Sequence, residues 1–181
     1  MNKEAVRQAL CACFGLQPSS DEAYSLLSET YLEPENAPRL PRHADAVFYT
    51  LEPDPLAEEA PPSYASRNPS AASALQVVSR FSAWKLILVC YGPHAPENAE
   101  KVRSFLYLDG AGFPRAILRK AGIRPVPGPP EPTVLHEPEG TLWRLRADLT
   151  LSLRAEETLE HPLRRNSITL PPACVIRDGS R

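Results

Sequence analysis

The stretch TLWRLRADLTLSLRAEE, residues 141–157, decides the fold class. Trp143, Leu145, Ala147, Leu149, Leu151 and Leu153 share one parity, and Arg144, Arg146, Asp148, Thr150, Ser152 and Arg154 share the other. A period of two belongs to a strand, because successive side chains leave a pleated backbone on opposite faces. The apolar face needs a core, so 142–154 is predicted as a long strand with Trp143 and Leu149 turned inward. The opposite face carries three arginines, and the partner they meet is the functional question.

The partner strand is predicted within ALQVVSRFSAWKLILVCYG, residues 74–92. From Trp84 onward both parities are apolar there, Trp84, Leu86, Leu88 and Cys90 against Ile87, Val89 and Tyr91, the pattern of a central strand covered on both faces. DAVFYTLEP, 45–53, is a shorter strand stopped by Pro53. Val6, Ala9, Leu10, Cys13 and Phe14 form a helical stripe over 3–14, with Asn2 as cap and Gly15 as terminator. Ser19 and Glu22 have capping-box spacing for a second helix, whose stripe continues through Tyr24, Leu27 and Tyr31. Pro96 opens a helix through Ala99, Val102 and Leu106, and Pro114 opens another that Gly122 closes. SITLPPACVIRDG, 167–179, supplies a final strand or edge segment. These elements predict one α/β (α+β) domain over 1–181, a mixed or antiparallel sheet of about four strands flanked by helices, with residues 1–34 as an N-terminal helical segment.

Proline is the compositional outlier, 21 in 181 residues, against a background of about 5%. The prolines cluster in EPENAPRLPRH, EPDPLAEEAPPSYASRNPS and RPVPGPPEPTVLHEPEG. Such segments lack ladder donors and are stiff, so 54–72 and 123–140 are predicted as extended arms. The formal net charge of −2 gives no global drive toward nucleic acid. It conceals a division: residues 1–70 carry 5 basic and 11 acidic side chains, residues 71–181 carry 15 and 11. Opposite charge in two halves stabilises contact between them or between copies.

No catalytic constellation emerges. The sequence contains neither G-x-x-x-x-G-K-[ST] nor G-x-G-x-x-G, and LDGAGFP reads as a glycine turn between helices. His43, His94, His136 and His161 lie in loop-like contexts without metal-ligand pairing, and read as surface residues. Cys11, Cys13, Cys90 and Cys174 sit in apolar surroundings and read as reduced, buried thiols. Asp148, with Arg146 and Thr150 on its strand face, reads as a cross-strand ion-pair partner, not as a general acid or base, and the glutamates at 156, 157 and 160 carry no stronger signal. The N-terminus lacks the apolar run of a signal peptide, and no stretch approaches the ~18 apolar residues of a membrane span. A cytosolic chain without membrane contact, cofactor or enzymatic activity is the expectation. Arg115, Arg119, Lys120 and Arg124 form one basic patch, too little interleaved with aromatics to read as a nucleic-acid site.

The CYG strand end followed by a helix, the FLYLDG to ILRKAGI helix pair, the PVPGPPEPT segment and the W-R-x-R-A-D-L-T-L strand together resemble the bacteriophage neck and tail terminator proteins. The resemblance covers about residues 75–155. It implies an α/β subunit of the virion, assembled in the host cytoplasm. That subunit would form a homo-oligomeric ring, of six copies, on the head-proximal end of the tail tube and join the tube protein to the head-tail connector. Genomic DNA would pass through such a ring without specific binding. A ring joins two different surfaces of one subunit, which suits the charge division. The acidic residues Glu52, Asp54, Glu58 and Glu59 are then expected on a neighbour's Arg115, Arg119, Lys120 and Arg124. Arg144, Arg146 and Arg154 are expected to meet a neighbour or a covering arm. The alternative from another class is a small cytosolic ligand-binding protein or enzyme with its site between sheet and helices.

Overall fold

A computed structural model describes residues 1–29, 41, 43–55, 63–67, 75–108, 112–128, 130–139 and 142–162. Helix α1 spans Lys3–Cys13, with the Asn2 side chain accepting from the Ala5 N–H and Gly15 at φ 70° beyond its end. Val6, Ala9, Leu10 and Cys13 are buried, as the stripe requires. Helix α2 is shorter than expected, Asp21–Leu26, and its cap is Ser20, whose hydroxyl accepts from the Ala23 N–H, not Ser19. Its stripe also fails: Tyr24 is exposed with the Arg7 guanidinium over its ring, and Leu27 belongs to the three-residue strand β1, Leu27–Glu29. Tyr31 lies outside the described residues.

The other elements are β2 (Ala46–Pro53), β3 (Ser63–Arg67), β4 (Leu75–Tyr91), α3 (Ala95–Arg103), a π-helical turn at Ser104–Leu108, α4 (Phe113–Lys120), β5 (Ile123–Pro125), β6 (Thr133–Glu139) and β7 (Leu142–Pro162). The result is a mixed α+β chain whose sheet has seven strands among the described residues, where about four were expected. The path runs β1-β2-β4-β7-β5, with β3 paired to β4 and β6 to β7; β1 is parallel to β2. Two of the additional strands come from the segment predicted as an arm over 123–140. β5 and β6 pair antiparallel with β7, and their prolines, Pro125 and Pro138, sit in ladders where a missing donor is tolerated at a sheet edge.

The chain divides into two compact units. The larger holds residues 1–61 and 80–157. Its core is one cluster, in which the buried parity of the strands meets the helices: Val47, Tyr49 and Leu51 from β2, Leu86, Leu88 and Cys90 from β4, Ala147, Leu149, Leu151 and Leu153 from β7, with Leu10, Val102, Leu106 and Leu118 from the helical side. The alternation of 147–155 therefore matches the core as predicted. Trp143 does not: it keeps the correct parity but is 69% exposed, at the end of β7 where its register partner is Pro138 of β6. The two-sided burial expected of β4 is also only half right. Leu86, Leu88 and Cys90 are buried, whereas Ile87, Val89 and Tyr91 are intermediate, on the face that carries the β7 arginines.

Gly92, after β4, has φ 109°, and a Cβ there would meet the Asp45 carboxylate and stand 2.8 Å from the Ala44 carbonyl. Only glycine permits that approach. Asp45 in turn receives the His94 N–H at 3.0 Å and contacts His94 Nδ1 at 2.8 Å, which fixes the entry to α3. The smaller unit holds residues 62–79 and 158–181. Among its described residues, β3 pairs antiparallel with Leu75–Ser79 of β4, and the Ser79 and Thr158 hydroxyls stand 3.5 Å apart. The segment 167–179 and Cys174 lie outside the described residues.

Candidate functional site

The face of β7 opposite the core gives part of the answer about its arginines. On a strand, residues i and i+2 share a face. Arg146 uses this spacing to grip Asp148 with two bonds, Nε to Oδ1 at 2.7 Å and Nη2 to Oδ2 at 2.9 Å. Its third nitrogen reaches Glu137 on β6 at 3.3 Å, a diagonal contact because Glu137 registers with Arg144. Glu137 also accepts from the Tyr91 hydroxyl at 2.8 Å. The guanidiniums of Arg144 and Arg146 lie 5.4 Å and 5.7 Å from the Tyr91 ring centroid. The Asp148 hydrogen bonds push the Arg146 pKa further up, and burial, then the bond to Glu137, raises the Tyr91 phenol.

Arg144 and Arg146 are engaged by their own chain, Arg144 also donating at 3.2 Å to the carbonyl of Pro41, in the proline-rich segment EPENAPRLPRH. One expectation is corrected. Asp148 is paired along its own strand; the cross-strand partner is Glu137.

Arg154 stands apart. It registers with Arg124 across the β5–β7 pair, and both line a cleft of about 770 Å³ together with Arg115 and Arg119 of α4. Lys120, on the same helix, is exposed and does not line it. The apolar part of the wall includes Phe81, Ile123 and Val126, and no carboxylate lines the cleft among the described residues. The structure therefore gathers four of the basic residues singled out in the sequence.

The described members of the acidic group lie elsewhere in the chain. Glu52 is exposed on β2, opposite Lys85. Asp54 pairs with Lys85 at 3.1 Å in its own chain. Glu58 and Glu59 lie outside the described residues.

A second feature escaped the sequence reading. β6 pairs only with β7 among the described residues, so no described strand covers its other edge. Val134 and Leu135 on it are 49% and 42% exposed, and Trp143 lies at the same end of the β6–β7 pair as Pro138. Val134 and Leu135, consecutive on β6, are thus exposed on opposite faces of that strand, and Trp143 is exposed on the neighbouring β7. The local signal, TVLHEPE between prolines, was hidden by the proline density.

Other candidates carry less. Cys11, Cys13 and Cys90 are free and buried, and burial pushes the Cys13 and Cys90 thiols up to about 12, far from the range of a reactive thiolate. No group of three or more His, Cys, Asp or Glu among the described residues could hold a metal ion. His43, His94 and His136 are exposed, while the His161 side chain lies outside the described residues. No described helix is long and apolar enough to cross a membrane. Compared with known families and characterised proteins, the chain matches no family model and no curated sequence.

Proposed function

We propose that the protein is a self-assembling structural subunit of a phage virion, the terminator ring that caps the head-proximal end of the tail tube and joins it to the head-tail connector. The observation that supports this reading is the edge of β6, which has no strand partner besides β7 among the described residues. An unpaired edge templates pairing with another chain. On β6 Val134 and Leu135 are exposed toward its N-terminal end, away from Glu137 and Pro138. The opposite end of the sheet path is β1, a different surface. A contact from β6 of one copy to a different surface of the next is heterologous, the geometry that closes rings. The division of charge between residues 1–70 and 71–181 supports the same head-to-tail arrangement.

Reading the chain as a monomeric enzyme with a site between sheet and helices has less support. The core of that space is filled by side chains such as Leu10, Leu88, Leu118 and Leu149, each at or below 1% exposure, and the cleft that α4 forms with β5 and β7 is lined by arginines and apolar side chains, with no nucleophile or general base among the described residues. Negative-stain electron microscopy of the purified protein tests the proposal. Rings that bind one end of isolated tail tubes are expected, and Leu135→Asp should abolish them. Particles without rotational symmetry that ignore tube ends would refute it.

A further inference from the structure

The β6 edge contact does not involve the arginine cleft, which carries its own like-charge conflicts. Arg124 and Arg154 are direct partners across an antiparallel pair, where like charges oppose folding. Arg115 and Arg119 are i, i+4 neighbours on α4, a second repulsive spacing. Arg115 also sits in the first turn of α4, beside the positive end of the helix dipole, in a turn with no acidic residue. None of the four guanidiniums has an ion-pair or hydrogen-bond partner among the described residues. By contrast Arg80, Arg103 and Arg146 each hold a carboxylate. Three conflicts at one cleft, without a counter-charge among the described residues, mark a place where an anion supplies the missing charge.

We propose that this cleft is a binding site for a compact organic di- or triphosphate, a ligand of the nucleotide class. Planar guanidiniums match phosphate oxygens two bonds at a time. Four of them balance the three to four negative charges of a polyphosphate, which exceeds what one carboxylate brings. The apolar wall with Phe81, Ile123 and Val126 gives the organic body a dry surface. The volume, about 770 Å³, falls in the range of roughly 300–1,000 Å³ usual for small-ligand sites. A DNA duplex offers its phosphates on a convex cylinder, which a concave cleft of this size does not enclose.

The test uses the full-length protein with three probes, ATP, a 20-base-pair DNA duplex and a peptide of residues 52–63, each titrated by calorimetry. ATP is expected to bind, with inorganic diphosphate competing. The double variant Arg119→Ala/Arg154→Ala should weaken binding at least tenfold while melting no lower than the wild type, because a repulsion is removed. Phenylglyoxal labelling of the wild type, read by mass spectrometry, needs no variant: ATP should protect Arg119 and Arg154. Failure of ATP to bind, or binding without protection and indifferent to the double variant, would overturn the assignment. So would tighter binding of the duplex, or binding of the acidic peptide as tight as that of ATP. These readouts are independent of ring formation, so either proposal can fail alone.

Discussion

Leu149 and Trp143 share one strand and one parity, yet the structure assigns them opposite fates, and a pair of alanine variants measures the difference. Leu149 is 1% exposed within the core cluster, while Trp143 is 69% exposed. Leu149→Ala removes three buried carbons, about 2.4 kcal/mol at ~0.8 kcal/mol each. A residual cavity adds ~24 cal/mol per Å³, which places the total at about 3–5 kcal/mol. For a chain of this size the melting midpoint should fall by roughly 2–4 °C per kcal/mol, so by about 6–20 °C. Trp143→Ala should stay within about 0.5 kcal/mol in the isolated subunit, as for a surface change. Urea unfolding followed by circular dichroism reads both. Equal losses for the two variants, or a loss below about 1 kcal/mol at Leu149, would refute the placement of the core edge along β7.

Three further outcomes follow from single contacts. Gly92→Ala drives a Cβ into Asp45 and the Ala44 carbonyl at positive φ, and should cost about 1–3 kcal/mol; a melting curve identical to wild type would contradict that approach. Glu157 is held below its ordinary value of 4.5 by hydrogen bonds from Arg80, so the folded state binds fewer protons than the unfolded one. Its stabilisation is therefore complete above pH 4.5 and is lost as pH falls through the lower folded value; Arg80→Met should flatten that part of the acid limb, and superimposable limbs would count against the pair. Cys13 and Cys90, with thiols pushed up to about 12, should stay unmodified by a thiol reagent at pH 8 until the protein unfolds; rapid labelling of Cys90 in the native protein, located by mass spectrometry, would be the opposite result.

The alternation over 147–155 was legible because one face of β7 meets a core along that whole run. Trp143 was misread because parity tells which face a side chain takes but not where the helical layer ends. β5 and β6 were hidden by prolines that edge strands tolerate, since a proline cluster reads locally as an arm whether or not a neighbour pairs with it. Leu27 was assigned to a helix stripe because its parallel pairing with Val47 depends on a partner twenty residues away. The i, i+2 spacing of Arg146 and Asp148 was visible in the sequence, but Asp148 was read as a cross-strand partner and the pair along one strand was missed. The basic patch over 115–124 was legible from helical spacing, whereas the arrival of Arg154 beside Arg124 required the β5–β7 register.

Sedimentation velocity of the purified protein over a range of concentrations tests the assembly proposal most directly. The subunit is 20.0 kDa, so a closed ring of about six copies should sediment near ~120 kDa with a stoichiometry that does not grow with concentration, as closure requires. Leu135→Asp, on β6, should reduce it to the monomer with its unfolding midpoint preserved. A wild-type protein that stays monomeric at every concentration, or a Leu135→Asp variant that still forms the ring, would contradict the account.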